Sequence, residues 1–447
     1  MRAYCPMELL SSTSGDNGMD VDQIRSLQPA AAGFLQKFRD YFGRQATFDY
    51  FLLYVVGLMA NFKRKSIEPI ALMAGVAVRS LQEFLAFFKW DHDRVWRHLR
   101  QDVMDQHGSD GAIGVIDGSS HPKSGDKTPG VQRQWSGQSG KIENCVVGCH
   151  LLYTDNDAAN PFSGVLASDL FLPESWAEDR ASGGQRCREA KIPDELAYRK
   201  KWRIALDQVE QTIGQGVRFS WITFDEEYGS VSDFWFGLDA LGQRGIGEVR
   251  SNFRCWVTKP ACKSFRGEHA SRKVKNLCRF SPAFTQQPWQ TMKIKDTTRG
   301  ELTWQYKAAR VYLVEYASEK RTVPQPTDRQ YWLIVARQPK TDEIKYFVSN
   351  AAANASIQEM MRAAFARWHV EKWFERAKQE CGFGAFEVRT YTSLIRHWLC
   401  SVLAMYFLAA ATKRLRGEKS ADHLRAGGQS GQHPGVENLE PILVVVG

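Results

Sequence analysis

The sequence predicts an α/β protein: a mixed-sheet core with helices on both faces, preceded by an all-helical N-terminal region and interrupted by a β-rich insertion. Three observations carry this expectation. Residues 21–106 hold helical periodicity with no alternating strand pattern, and short apolar runs at 112–116 and 219–224 each end on an acidic residue. Helical periodicity then fades between 253 and 350 and returns afterwards. The expected divisions are 1–20 disordered, 21–108 helical, 109–252 first part of the core, 253–350 insertion, 351–416 second part of the core, and 417–447 a loose tail.

A chain of 447 residues has room for two or three domains. Its 59 Lys and Arg against 50 Asp and Glu leave a net charge of +9, which suits a nucleic-acid partner without establishing one. Nine cysteines scattered from Cys5 to Cys400 do not form a disulfide framework and fit a reducing cytoplasm. Cys145 and Cys149, with His150 adjacent, lack a second ligand pair at zinc spacing and read as buried thiols on a strand. The first twenty residues have no apolar core and are not a signal peptide. The apolar runs at 50–62 and 399–411 fall short of the roughly 20 residues that span a bilayer, so no membrane role is expected.

In the N-terminal region, residues 67–76 and 78–85 flank a turn at Gly75 and resemble a helix-turn-helix, although a plain helical hairpin has the same pattern. Lys63, Arg64 and Lys65 precede it, and Arg79 and Gln82 are placed to face a groove. These cations are expected DNA contacts.

The core begins with a buried strand at 112–116 that ends at Asp117-Gly118. An Asp there suits a ligand carboxylate or a turn cap. A Gly/Ser-rich loop with Arg133, Trp135 and Lys141 follows, with Arg133 and Lys141 as expected phosphate contacts. Strands at 144–153 and 165–172 complete an antiparallel meander. A helix is expected at 194–213, then a strand at 219–224 ending at Asp225, a helix at 232–241 and a strand at 245–252. The insertion holds alternating runs, cations (Lys259, Lys263, Arg266, Arg272, Lys273, Lys275) and the aromatics Trp289, Trp304 and Trp332. Trp332 lies in an interior-looking strand, which leaves Trp289 and Trp304 as the candidates for stacking on a displaced base.

Residues 367–378 run without Gly or Pro and are followed by Gly382 and Gly384, so they predict a helix with a stop behind it. Ala363, Ala366, Val370, Trp373, Phe374, Ala377 and Cys381 form one apolar stripe at helical spacing. Glu371 stands at its margin, with Arg367 one turn before, Glu375 one turn after and Lys378 two turns after. A salt-bridged amphipathic helix has the same spacing, with Arg367–Glu371 and Glu375–Lys378 as its pairs. Asp117, Asp225 and Glu371 then supply three carboxylates from two strand ends and a helix. With no His or Cys beside them they favour Mg²⁺ or Mn²⁺ over Zn²⁺, and two such ions roughly 4 Å apart suit phosphodiester chemistry. Glu375 is the rival for the third position.

At this point the chain resembles a bacterial insertion-sequence transposase of the DDE superfamily. Arg367, Glu371 and Lys378 match a third motif of the form Tyr-x2-Arg-x3-Glu-x6-Lys, with Ala364 at the Tyr position. Residues 115–117 resemble the first motif and 221–229 the second, and 65–69 and 172–176 also resemble stretches of this family. The resemblance covers about residues 50–412. It implies a ribonuclease-H-like core, metal-dependent DNA cleavage and strand transfer, and double-stranded DNA partners (terminal inverted repeats and target). It also implies a homodimer on DNA and a bacterial, nucleoid-associated location. Asp117, Asp225 and Glu371 would hold two Mg²⁺ or Mn²⁺ ions, with Arg367 and Lys378 on phosphate or steadying a carboxylate. A ribonuclease-H-like nuclease without strand transfer fits the same residues. So does a DNA-binding protein that has lost catalysis, although the presence of all three acids speaks against that.

Overall fold

Apolar spacing folds the N-terminal region into α1 (Val21–Gln36), α2 (Gln45–Met59), α3 (Ile67–Met73), α4 (Val78–Ala86) and α5 (His92–His107). Aromatic rings lock them together: Phe84 stacks on Trp90 with centroids 5.6 Å apart, and Phe42 stacks on Trp90 at 5.1 Å. Gly75 turns α3 into α4 with φ +65°, a left-handed conformation that favours glycine. Asp91 caps α5 by accepting from the Arg94 N–H at 2.9 Å. The computed structural model describes residues 21–60, 62–158, 160–261, 269–297, 300–316 and 324–426. The expectations for residues 1–20 and 427–447, and for Lys263 and Arg266, lie outside the described residues.

The core follows as β1 (Ile113–Pro122), β2 (Gln132–Ser136), β3 (Lys141–Thr154) and β4 (Ser163–Leu170). Next come α6 (Glu174–Ala181), α7 (Gln185–Glu189), α8 (Lys201–Gly214), β5 (Trp221–Phe224), α9 (Glu226–Gly229), α10 (Ser232–Ala240) and β6 (Gly245–Glu248). β1, β3 and β4 form the antiparallel meander, and β5 and β6 add in parallel beside β1, giving the order β4-β3-β1-β5-β6. This is the mixed, ribonuclease-H-like core that the sequence led us to expect. Neighbouring residues on β3 show both faces covered. The His150 ring lies 5.2 Å from Phe374 and 5.4 Å from Trp398 on one side, while Cys149 sits beside Tyr228 of α9 on the other.

The insertion comprises β7 (Arg254–Trp256), β8 (Arg272–Lys273), α11 (Val274–Phe280), α12 (Pro282–Thr285), β9 (Gln290–Thr297), β10 (Gly300–Tyr316), β11 (Pro324–Pro326), β12 (Tyr331–Arg337) and β13 (Ile344–Ser349). β13 pairs antiparallel with β6, so the insertion extends the core sheet. The second part of the core is α13 (Ile357–Phe365), α14 (Trp368–Glu380) and α15 (Tyr391–Ala426).

Several expectations need correction. β1 runs through Asp117 to Pro122, because β3 is long enough to pair with it from Thr154 back to Cys145. The loop expected after Asp117 contains β2, which forms a hairpin with β3. The helix expected from 194 starts at Lys201, since the Arg180 guanidinium takes the carbonyls of Pro193, Asp194 and Leu196 at 3.0 Å each and holds that stretch open. α11 and α12, at seven and four residues, are too short to register as periodicity. α15 continues through 417–426, where the sequence suggested a loose tail, because the Gly427-Gly428 breaker comes only afterwards. Within α15, Tyr391–Arg414 is longer than the run counted from sequence and meets the length and composition of a membrane span. However, 83% of its apolar window is buried inside the protein, where it serves as a core helix.

Candidate active site

Parallel pairing of β1 with β5 sets Ile116 opposite Phe224. Asp117 and Asp225 are the residues that follow them, and the Asp225 charge reaches Asp117. β5 ends there while β1 runs on, so Asp117 lies mid-strand and Asp225 becomes the N-cap of α9, accepting from the Glu227 N–H at 2.9 Å. Asp117 accepts from the Gly118 N–H at 2.7 Å.

The third acid arrives on α14. The stripe from Ala363 to Cys381 is buried at every position, and Trp373 and Phe374 pack edge-on and stacked, respectively, on Phe383. Burial of side chains this size contributes about 1.5–3 kcal/mol each. The stripe is not one helix, however. α13 packs on β5 and β6, α14 packs on β1 and β4, and the chain breaks between them at Ala366–Arg367. The break therefore falls over the seam where Asp117 and Asp225 stand. There Arg367 donates from Nη1 to Asp117 Oδ2 at 3.4 Å, and its Nη2 forms an ion pair with Glu371 Oε1 at 3.0 Å.

Burial first, and the neighbouring Asp225 charge second, push the Asp117 carboxyl up to about 7. Burial and Glu227 push Asp225 up to about 6. Burial opposes the Arg367 charge, but Asp117, Glu371 and Asp225 outweigh it and hold the guanidinium above its ordinary value. The three acids and one arginine thus form a single electrostatic unit. Glu375 stands apart, since its carboxylate pairs with Lys372 at 2.8 Å and not with Lys378. Lys378 instead reaches the Ser120 carbonyl at 3.3 Å and Gln138 Oε1 at 3.0 Å, tying α14 to β1 and to the β2–β3 hairpin.

The donor set is entirely carboxylate oxygen, which suits a hard divalent cation. Burial first, and the neighbouring carboxylates second, hold both aspartates above their ordinary values even with Arg367 beside them, a cost that a cation would relieve. Among the described residues no three His, Cys, Asp or Glu side chains stand close enough together to hold a metal ion. Glu371, 61% exposed at its side chain, is drawn to Arg367.

The remaining sequence candidates separate. Lys63 and Arg64 are exposed, with Arg64 paired to Glu387, and Arg79 is exposed and paired to Glu83 at 2.9 Å. Arg133 and Lys141 are exposed on the β2–β3 hairpin, beside exposed Trp135 and Ile142. Lys65 is a correction. It is 6% exposed and donates to the carbonyls of Leu58 and Glu380, so it joins α2 to α14 and presents no charge to DNA. Trp304 is another, at 4% exposed and packed on Phe365 with centroids 4.9 Å apart. Trp289 is partly buried, with Arg337 and Lys307 over its ring at 4.5 and 4.9 Å. Sequence reasoning passed over Glu248, whose charge reaches Arg367. Glu248 ends β6 as an acidic residue at the close of a short strand, the signal that identified Asp225.

The chain matches the DDE superfamily endonuclease family over residues 37–311, more than half its length. That stretch contains Asp117 and Asp225 and stops before Glu371. A probable transposase for insertion sequence element IS701 from Microchaete diplosiphon is 27% identical over 223 residues, 49% of this chain. The match spans about half (53%) of that relative's length. A solved structure, the piggyBac transposase synaptic complex with hairpin DNA, aligns over 96% of this chain and 76% of its own at 12% identity and TM-score 0.40. With one acid on β1, another at the end of the adjoining β5 and the family match running through both, the chain belongs to the DDE superfamily endonucleases.

Proposed function

We propose that this protein is an insertion-sequence transposase that cleaves DNA at terminal inverted repeats and joins the freed ends to target DNA. The observation that supports it best is the Asp117–Asp225 pair lying under the α13–α14 break, with Arg367 linking Asp117 to Glu371. Asp117 and Asp225 would hold divalent cations, Mg²⁺ or Mn²⁺ and two in number, with Glu371 completing the set when it turns from Arg367. Such ions, when bound, activate the attacking water or 3′-hydroxyl and offset charge on the leaving oxygen. The protein's own part is to hold the two aspartates side by side, one on β1 and one at the end of β5, where burial makes their charge costly until a cation offsets it. Arg367 balances them, and when Glu371 turns it is released toward a phosphate oxygen. Lys378, anchored to β1, fixes α14 against the strand carrying Asp117. Double-stranded DNA and a second copy of the chain are the proposed partners.

The test uses a labelled duplex carrying the element's end, with Mg²⁺. Asp117→Asn, Asp225→Asn and Glu371→Gln should each lower cleavage by roughly 100-fold or more while the duplex is still bound. Strand transfer is scored separately, as label joined to target DNA. Normal cleavage by Glu371→Gln with loss in Glu375→Gln would overturn the third assignment, and cleavage without joining would leave a nuclease.

A further inference from the structure

A cleft of about 990 Å³ opens between the N-terminal helices and the catalytic core. One wall is the α4 face carrying Arg79 and Gln82, with Phe87 just past the helix end, and the other is the end of β1 with the loop that follows α14. Five cations line it (Arg64, Arg79, Lys123, Lys127, Arg389) against two carboxylates, Glu83 and Glu387. Arg64, Arg79 and Lys127 rest in exposed ion pairs with Glu387, Glu83 and Glu189. Exposed pairs of this kind are weak, so a phosphate can take the cation over. Phe87 is 56% exposed, with the Lys191 ammonium 4.2 Å from its centroid. A cationic groove bearing an exposed aromatic ring is the chemistry that holds single-stranded nucleic acid, phosphates on the cations and a base on the ring.

The cleft also suits a single strand better than a duplex. A recognition helix reads duplex DNA by projecting into the major groove, whereas the polar face of α4 is one wall of a cleft. The cleft is joined to the catalytic acids by β1, which runs from Asp117 to Pro122 and delivers Lys123 to its floor. Six residues of strand cover about 20 Å, the length of about six stacked nucleotides. We propose that this cleft binds single-stranded DNA, with phosphates on its cations and a base stacked on Phe87, at the far end of the strand that carries Asp117. The proposal rests on the DNA-cleaving function argued above and adds a site to it.

The test measures fluorescence anisotropy of the full chain with a short single-stranded oligonucleotide and with a duplex of equal length. Phe87→Ala should weaken single-strand binding by roughly five- to 150-fold, leave duplex binding unchanged and be rescued by Phe87→Trp. Lys127→Ala and Arg389→Ala should each reduce the salt slope of single-strand binding by about 0.7. Because Phe87 is exposed, the variant should melt like the wild type. Undiminished single-strand binding by Phe87→Ala overturns the proposal, and an equal loss on duplex overturns it in favour of a duplex groove. Catalysis is scored apart from this. If the wild type cleaves no duplex with Mg²⁺ while Phe87→Ala still loses the single strand, the enzymatic reading falls and the site stands.

Discussion

Arg367 reaches Asp117 across 250 positions of sequence, with Nη1 3.4 Å from Oδ2, and holds Glu371 with its other nitrogen. One guanidinium therefore does in this structure part of what a divalent cation does when bound. Arg367→Gln should leave the carboxylates crowded and unbalanced, lowering stability by roughly 1–3 kcal/mol in chelator. Mg²⁺ should restore most of that loss, because it neutralises the same acids. Thermal melts of wild type and variant with EDTA and with Mg²⁺ check this. A deficit that Mg²⁺ leaves unchanged would mean that Arg367 acts only as a packing residue.

The two insertion tryptophans should part company. Trp304 is 4% exposed against Phe365, so Trp304→Ala should cost about 3–5 kcal/mol and impair every activity together. Trp289→Ala should be milder, because that ring is only partly buried under Arg337 and Lys307. Urea denaturation of the two variants gives the comparison. If Trp304→Ala melts like wild type, the buried packing described for it is wrong.

What was legible in the sequence followed from local patterns. Asp117 and Asp225 stood out because a short apolar run closing on an acid is visible without any fold, and the α14 stripe because helical spacing is local. The extension of β1 past Asp117 depends on the length of β3, a pairing partner more than twenty residues away. The break at Ala366–Arg367 carries no Gly or Pro and is set by α13 and α14 packing on different strands. The cations of the α4 cleft lie at positions 64, 79, 123, 127 and 389, and only the tertiary fold collects them.

Lys65 shows how a local pattern misleads. Three consecutive cations read as a basic patch, yet the third turns inward to carbonyls of Leu58 and Glu380. It fits because Gly382, at φ +60°, has no side chain; a Cβ there would lie 2.6 Å from the Lys65 Cβ. Lys65→Ala should therefore cost roughly 1–3 kcal/mol of stability and leave DNA affinity and its salt slope unaltered, while Lys63→Ala should do the reverse. Denaturation and salt-titrated binding of both variants decide. A reduced salt slope for Lys65→Ala would put its charge back on the DNA.

His397 gives a pH test away from the acids. It is fully buried in α15, with Nδ1 2.8 Å from the Tyr54 hydroxyl and Nε2 3.0 Å from the Gly382 carbonyl. Burial, aided by the Lys123 charge, lowers its pKa to about 3. In the unfolded chain an imidazole titrates near 6.5. The unfolded state therefore takes up the proton first as pH falls, and the contribution of a neutral His397 is complete above about 6.5 and lost progressively toward 3. His397→Gln removes that titration from both states. The stability advantage of wild type over His397→Gln should shrink by about 1.4 kcal/mol per pH unit below pH 6.5, because the other titrating groups cancel in the difference. Urea denaturation of both proteins from neutral to mildly acidic pH measures it. A difference that stays constant across that range would show that His397 keeps an ordinary pKa in the folded protein.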